Sequence, residues 1–209
     1  MEKITLEPAT TADAAEMLAI YAPYVQYTTV SSEYDPPTLA EFERRIRTYT
    51  ETLPWLICRV DGVAAGYGYA SPHRTRAGYQ WSVETSIYVR KDFHRRGIAA
   101  AIYRALFDLL REQGYYNIFV GVTSPNVDSI RFHTAMGFVR SGAYQNSMYK
   151  FGQWHDVHWM HKSLREHLPA PAPTTPFPQI AAGERVRAIL REQAAAIRPA
   201  GKKEKEARA

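Results

Sequence analysis

The run Ile87-Tyr88-Val89-Arg90-Lys91-Asp92-Phe93-His94-Arg95-Arg96-Gly97-Ile98-Ala99 carries a β-branched stretch into a helix through a loop crowded with cations and one glycine. A phosphate group suits that place. The first N–H groups of a helix have no helical acceptor, and the helix dipole favours negative charge beside them. Gly97 lets the backbone come close to a ligand, and Ala99, Ala100 and Ala101 continue as good helix formers. The spacing His94-x-x-Gly97-x-Ala99 has neither the glycine set of a dinucleotide fingerprint nor the Gly-Lys-Ser/Thr of a nucleoside-triphosphate loop. Both of those phosphate readings are excluded.

Further along, Asn126, Ser129 and His133 are spaced by three and four, so on a helix they line one face while Ile130 packs inward. Asn126 or Asp128 can cap that helix, and a histidine at 133 can exchange a proton near neutral pH. Upstream, Arg74 and Arg76 sit on a loop, two cations able to grip a carboxylate or phosphinate by charge-assisted hydrogen bonds. No metal site is expected: His155, His158 and His161 alternate faces on a strand, and the single cysteine, Cys58, lies in the apolar run Trp55-Leu56-Ile57-Cys58.

Local signals place these residues on an alternating frame. Ile4–Pro8 reads as a strand, and Thr10 to Asp13 as a capped start to a helix through about Tyr21. Leu39–Tyr49 reads as a second helix. Pro54–Val60 and Ala64–Ala70 form a hairpin across Asp61-Gly62, and a strand from about Gln80 to Val89 completes an antiparallel meander. Ala99–Gln113 is an amphipathic helix ended by Gly114. Then come a strand Ile118–Val122, a short helix Ser129–Met136, and strands Tyr144–Tyr149 and His155–Lys162. The order predicts an α+β fold: a central mixed, twisted sheet with helices on both faces and a parallel crossover through the helix at 99–113.

At 209 residues with 45% apolar content the chain fits one soluble globular domain, residues 1–168, with no stretch long and apolar enough for a membrane span. Five prolines between Pro169 and Pro178 mark an extended segment, 169–180. Residues 181–209 form a basic tail, with an amphipathic helix at 182–197 followed by disorder. Eight cations against four anions after residue 168 hold most of the net charge of +5, so the basic balance says little about the substrate of the main domain. A cytoplasmic location is expected from the absence of a secretory start.

The loop His94–Ala99 resembles the acyl-coenzyme A pyrophosphate loop of the GNAT acetyltransferase superfamily, with His94 where Gln or Arg is usual. Asn126, Ser129, Gly137 and Phe138 resemble its pantetheine-side helix. Three separated runs narrow the resemblance to the phosphinothricin acetyltransferase family: Tyr79-Gln80-Trp81-Ser82-Val83-Glu84-Thr85-Ser86-Ile87-Tyr88-Val89, Arg131-Phe132-His133, and Gly152-Gln153-Trp154-His155-Asp156-Val157. The likeness spans roughly Ile4 to Ile180.

The resemblance implies a GNAT fold and an N-acetyltransferase using acetyl-CoA, without a metal, on the α-amine of a small acidic amino acid analogue such as phosphinothricin, methionine sulfone or methionine sulfoximine. It assigns acid–base roles to Glu84 and His133, His133 standing where many of these enzymes protonate the leaving thiolate. It assigns acetyl-CoA contacts to Ile87, Val89, His94, Arg95, Arg96, Gly97, Ile98, Ala99, Asn126 and Ser129. Substrate contacts fall to Glu33, Arg74 and Arg76; by its place on the strand, Tyr88 either borders the same cleft or packs as a strand tyrosine. Unpaired N–H groups within Ile87–Val89, freed by a bulge, are natural donors to a thioester carbonyl. The family usually dimerises, and Trp154 is interface material. Other readings are an acetyltransferase for another amine, or an acetyl-CoA-sensing module whose basic tail engages nucleic acid or another polyanion.

Overall fold

The computed structural model describes residues 2–200. Seven strands form one sheet: β1 Ile4–Pro8, β2 Trp55–Val60, β3 Val63–Pro72, β4 Ser82–Val89, β5 Asn117–Thr123, β6 Val139–Lys150 and β7 Gln153–Ser163. Their order is β1-β2-β3-β4-β5-β7-β6. Only β4 and β5 run parallel, and the helix α3, Ile98–Gln113, makes the crossover between them. The fold is the expected α+β mixed sheet.

Local chemistry explains most boundaries. Thr10 and Asp13 close a capping box, and a 3-10 turn at Thr11–Asp13 leads into α1, Ala14–Tyr27. That helix runs past Tyr21 and through Pro23. The N–H lost at Pro23 is offset by the buried row Met17, Ile20, Tyr21 and Val25, which continues on both sides of it. Thr38 caps α2, Leu39–Thr50, by accepting from the Glu41 N–H at 3.2 Å. Asp61 and Gly62, both with positive φ, make the tight turn between β2 and β3.

The sheet buries a cluster on each face. One face packs α1 and α2 against Trp55, Ile57, Tyr67 and Tyr88. The other packs α3 against Val83, Ile118, Val120 and Met160, and it extends to α4, Val127–Ala135, and α6, Glu184–Ala195. Phe177 of the short helix α5, Phe177–Ile180, is buried in this same core with Val186, Ile189, Leu190 and Ile197. Each such side chain contributes about 1.5–3 kcal/mol on burial.

Residues 169–200 are therefore built onto the domain, although their composition separates them. Trp81 Nε1 donates to the Ala172 carbonyl, and the Gln113 amide nitrogen donates to the carbonyls of Thr52 and Thr175. Arg185 pairs with Glu112, and Arg187 and Arg191 both pair with Glu184. These cations are shared with carboxylates rather than gathered into a basic patch. Lys202, Lys203, Lys205 and Arg208 lie outside the described residues.

Candidate active site

Two hydrogen bonds fix which way the backbone of β4 faces. His73 N–H donates to the Ser82 carbonyl and Arg90 N–H to the Ala65 carbonyl, so the even-numbered residues of β4 bond toward β3. The odd-numbered residues therefore turn their N–H and C=O groups toward β5. Parallel pairing with β5 stops at Glu84 opposite Phe119, so the strands part beyond that point. Ile87 and Val89 consequently present N–H groups along an open edge. No register shift interrupts the β3–β4 pairing; divergence of β4 from β5, rather than a bulge, frees these donors.

At the end of β4 the loop enters α3 with two residues in the left-handed region, Arg95 at φ 62° and Gly97 at φ 86°. For Arg95 that conformation costs about 1–2 kcal/mol, whereas Gly97 adopts it freely. Ala101 N–H is bonded to the Gly97 carbonyl at 3.0 Å, which leaves the N–H groups of Ile98, Ala99 and Ala100 without a helical acceptor. These donors, the exposed Arg95 and the open edge at Ile87 and Val89 lie on and beside the loop that joins β4 to α3. They fit a pyrophosphate joined to an amide-bearing arm, the chemistry of coenzyme A.

Two of the sequence-assigned contacts in this loop spend their side chains elsewhere. His94 turns back so that its Nε2 lies 2.9 Å from the Val89 carbonyl, which also accepts from Tyr24 Oη at 2.5 Å. Arg96 is 3% exposed, bonded to the Arg198 carbonyl at 2.9 Å and paired with Glu2. Its guanidinium is part of the core, because its charge is neutralised there.

On the α1/α2 side of β4, the Glu84 Oε1 accepts from His73 Nδ1 at 2.9 Å, and its second oxygen has no hydrogen-bond partner among the described residues. The Glu84 side chain is 31% exposed. The His73 ring stacks on Phe119, centroids 4.3 Å apart, and meets Trp159 edge-on at 5.9 Å. A cleft of about 300 Å³ opens there, lined by His73, Arg74, Phe119, Tyr144 and Trp159 among others. Arg74 and Arg76 are exposed and have no ion-pair partner among the described residues. Of the two, Arg74 lines the cleft; Arg76 starts the turn at Ala77–Tyr79.

On the α3 side His133 is 6% exposed. Its Nδ1 lies 2.7 Å from the Ser129 carbonyl and its Nε2 3.1 Å from Tyr103 Oη. A carbonyl only accepts, so Nδ1 carries the proton and Nε2 accepts from Tyr103. Tyr103 Oη in turn accepts from Thr85 Oγ1 at 3.4 Å. Burial lowers the His133 pKa from 6.5, opposed by the Ser129 carbonyl, and burial raises the Tyr103 phenol above its ordinary range. Asn126 Oδ1 accepts from the Ser129 N–H at 3.1 Å and caps α4.

Several of the sequence-assigned residues are engaged inside the protein. Glu84 and His133, paired by sequence as acid and base, lie on opposite faces of the sheet, and both ring nitrogens of His133 are engaged inside the protein. That bonding does not suit a proton donor to a leaving thiolate. Tyr88 packs among Tyr21, Tyr24 and Tyr67 as core, with Tyr21 nearest at 4.8 Å. The Glu33 carboxylate is held by Arg45 at 2.6 Å and by Tyr21 Oη at 3.0 Å. His155, His158 and His161 each have separate partners, and no group of three metal-ligating side chains occurs among the described residues. The Cys58 thiol, fully buried, is pushed up to about 12. His73 was missed, although the β3–β4 register holds its signal. Position 73 falls opposite 82, which sets it diagonal to 84 on the same face.

Residues 6–159 match the acetyltransferase (GNAT) domain. The chain is 34% identical over 178 residues to a phosphinothricin N-acetyltransferase of Streptomyces viridochromogenes, covering 85% of this chain and 96% of that one. It is 31% identical over 172 residues to an L-methionine sulfoximine/L-methionine sulfone acetyltransferase of Pseudomonas aeruginosa, covering 80% and 98% of the two chains. Among solved structures, a phosphinothricin acetyltransferase from Sinorhizobium meliloti in complex with acetyl-CoA superposes with a TM-score of 0.76 at 28% identity, covering 83% and 98%.

Proposed function

Because the chain belongs to the GNAT acetyltransferase family and is an acetyl-CoA-dependent N-acetyltransferase, we propose that it acetylates the α-amine of a small acidic amino acid analogue of the phosphinothricin, methionine sulfone or methionine sulfoximine type. The observation that carries this reading is the Glu84–His73 pair, whose His73 lines a cleft together with Arg74, a cation without an ion-pair partner among the described residues. The names of the relatives support it.

Acetyl-CoA, when bound, would supply a thioester carbonyl open to attack by an amine, the C–S bond breaking as the C–N bond forms and the departing sulfur taking a proton from solvent to give the free thiol. The chain's own residues supply the rest. At pH 7 a peptide-like α-amine with a pKa near 8 is neutral in about one molecule in ten, a lysine ε-amine in about one in 2,500, and the α-amine of a free amino acid lies between. A modest base therefore serves an α-amine better than a lysine side chain. Glu84 takes the amine proton at its free oxygen, while His73 Nδ1–H holds the other oxygen in place. Arg74 grips the acid group by charge-assisted hydrogen bonds, and Arg76 adds to the local positive field. The N–H groups of Ile87 and Val89 donate along the open edge of β4, where negative charge develops on the carbonyl oxygen. Ile98, Ala99 and Ala100 supply the pyrophosphate donors. His133 holds Tyr103 and the start of α4 in place; it is a positioning residue.

A second copy of the chain fits the edge formed by β6 and β7, where Tyr144, Tyr149, Phe151 and Trp154 are all more than 40% exposed. Sedimentation giving a dimer, and a monomer for Trp154→Lys, would support that assignment.

The test of the reaction is thiol release from acetyl-CoA across amino acids, their sulfone, sulfoximine and phosphinate analogues, a polyamine and a peptide N-terminus. The highest kcat/KM is expected for a compact acidic or sulfone-bearing amino acid. Turnover of the polyamine or peptide, with none of any amino acid, would overturn the reading.

A further inference from the structure

The end of the described chain returns to the loop that opens α3. Arg198 N–H donates to the Arg96 carbonyl at 2.9 Å, and Arg96 Nε donates back to the Arg198 carbonyl at 2.9 Å. The Arg198 guanidinium also donates to the Arg95 carbonyl. Ala200 N–H is bonded to Glu2 at 2.9 Å, and the same carboxylate oxygen pairs with Arg96. The chain passes so near that a Cβ on Gly97 would stand 3.9 Å from the Ala196 carbonyl. Ile197, 3% exposed, pins the segment to the core just before Arg198.

These bonds surround a loop held in an unfavourable shape. Arg95 sits in the left-handed region, which a residue with a Cβ keeps only when its surroundings hold it there. Its carbonyl and the next one, on Arg96, are the two acceptors that Arg198 occupies. Holding both from outside the loop fixes the peptide planes just before Gly97, and these planes set the direction of the N–H groups at the start of α3.

We propose that residues 196–200 form a built-in clamp on the acetyl-CoA pyrophosphate loop, with Arg198 as the positioning residue that keeps Arg95–Gly97 in its binding shape. This rests on the assignment of that loop to the pyrophosphate. The clamp acts on acetyl-CoA affinity and leaves the amine side of the reaction alone, because Glu84, His73 and Arg74 lie on the other face of the sheet. Arg198 is exposed, so its side chain can be removed without opening the core.

The test uses the full-length chain with Arg198→Ala, Arg198→Lys and, as a control for charge, Arg191→Ala on α6. Affinity for CoA is measured by calorimetry without any amine, and steady-state kinetics follow with the best amine of the screen. If the unclamped loop holds its binding shape about one fifth of the time, Arg198→Ala weakens CoA binding and raises the acetyl-CoA KM about fivefold. Saturated kcat, the amine KM and Tm stay as in the unaltered chain. Amide exchange at Gly97–Ala99 quickens, and Arg198→Lys, which keeps one donor for the Arg95 carbonyl, regains most of the loss. Unchanged CoA affinity and exchange in Arg198→Ala would overturn the proposal. An equal loss in Arg191→Ala, or a fall in kcat together with Tm, would also overturn it. Failure of every amine would count against the substrate reading alone, since calorimetry reads the clamp without one.

Discussion

The two faces of β4 handle polar groups in opposite ways. Toward α1 and α2 it presents Glu84, part-exposed, with one oxygen tied to His73 and the other without a hydrogen-bond partner among the described residues. Toward α3 it presents Thr85, 6% exposed, in a chain through Tyr103 to His133 in which each group is satisfied inside the protein. The first arrangement leaves an acceptor for a substrate proton. The second fixes a tautomer and ties β4, α3 and α4 together where β4 and β5 part. A carboxylate and a histidine near one strand are thus not an acid–base pair merely by proximity in a motif; what each already bonds to decides whether it is free to react.

Mutations on the two faces should separate in kind. Glu84→Gln removes the base and is expected to lower kcat/KM at pH 7 by about 10²- to 10⁴-fold, with Tm nearly unchanged, measured by thiol release. His73→Asn lets the carboxylate swing and is expected to cost about 10- to 100-fold, as misplaced reacting groups do. Full activity in that variant would remove His73 from the account. On the other face, Tyr103→Phe leaves the His133 Nε2 as a buried acceptor without a donor and is expected to cost about 1–3 kcal/mol of stability. Calorimetry should show the melt shifting down by several degrees while kcat/KM at 25 °C stays within about threefold.

The smallest effect is one of pH. The His133 pKa is lowered in the folded chain, so below 6.5 the unfolded chain binds more protons at this residue than the folded chain does. Its contribution to stability is therefore present above 6.5 and is lost as pH falls from there toward the folded value. Urea midpoints between pH 7.5 and 5.5 should fall more steeply in the unaltered chain than in His133→Gln. Parallel slopes would mean that His133 does not titrate differently on folding.

What was legible in the sequence followed the range of the interaction. The phosphate loop, the Asp61-Gly62 hairpin and the capped helices rest on residues within a few positions of one another, and each lies where its local chemistry puts it. The His73–Glu84 pair spans 11 positions and depends on strand register, which composition does not display. Arg96 read as a loop cation because its partners Glu2 and Arg198 lie 94 and 102 positions away. The apolar row Val186, Ile189, Leu190 and Ile197 was visible, but the surface it covers was not, and the prolines before it suggested a boundary. His133 was found by its motif, but its burial and its partner on α3 are tertiary facts that the motif does not display.

The most direct test is the pH dependence of kcat/KM for Glu84→Gln beside the unaltered chain, with one amino acid substrate from pH 6 to 10. If Glu84 takes the amine proton, the variant's deficit is greatest at low pH. It then closes about tenfold per unit as solvent deprotonates the amine, until the amine's own pKa is passed. A variant equal to the unaltered chain at pH 7, or a deficit that does not change with pH, would contradict the assignment of the reactive face.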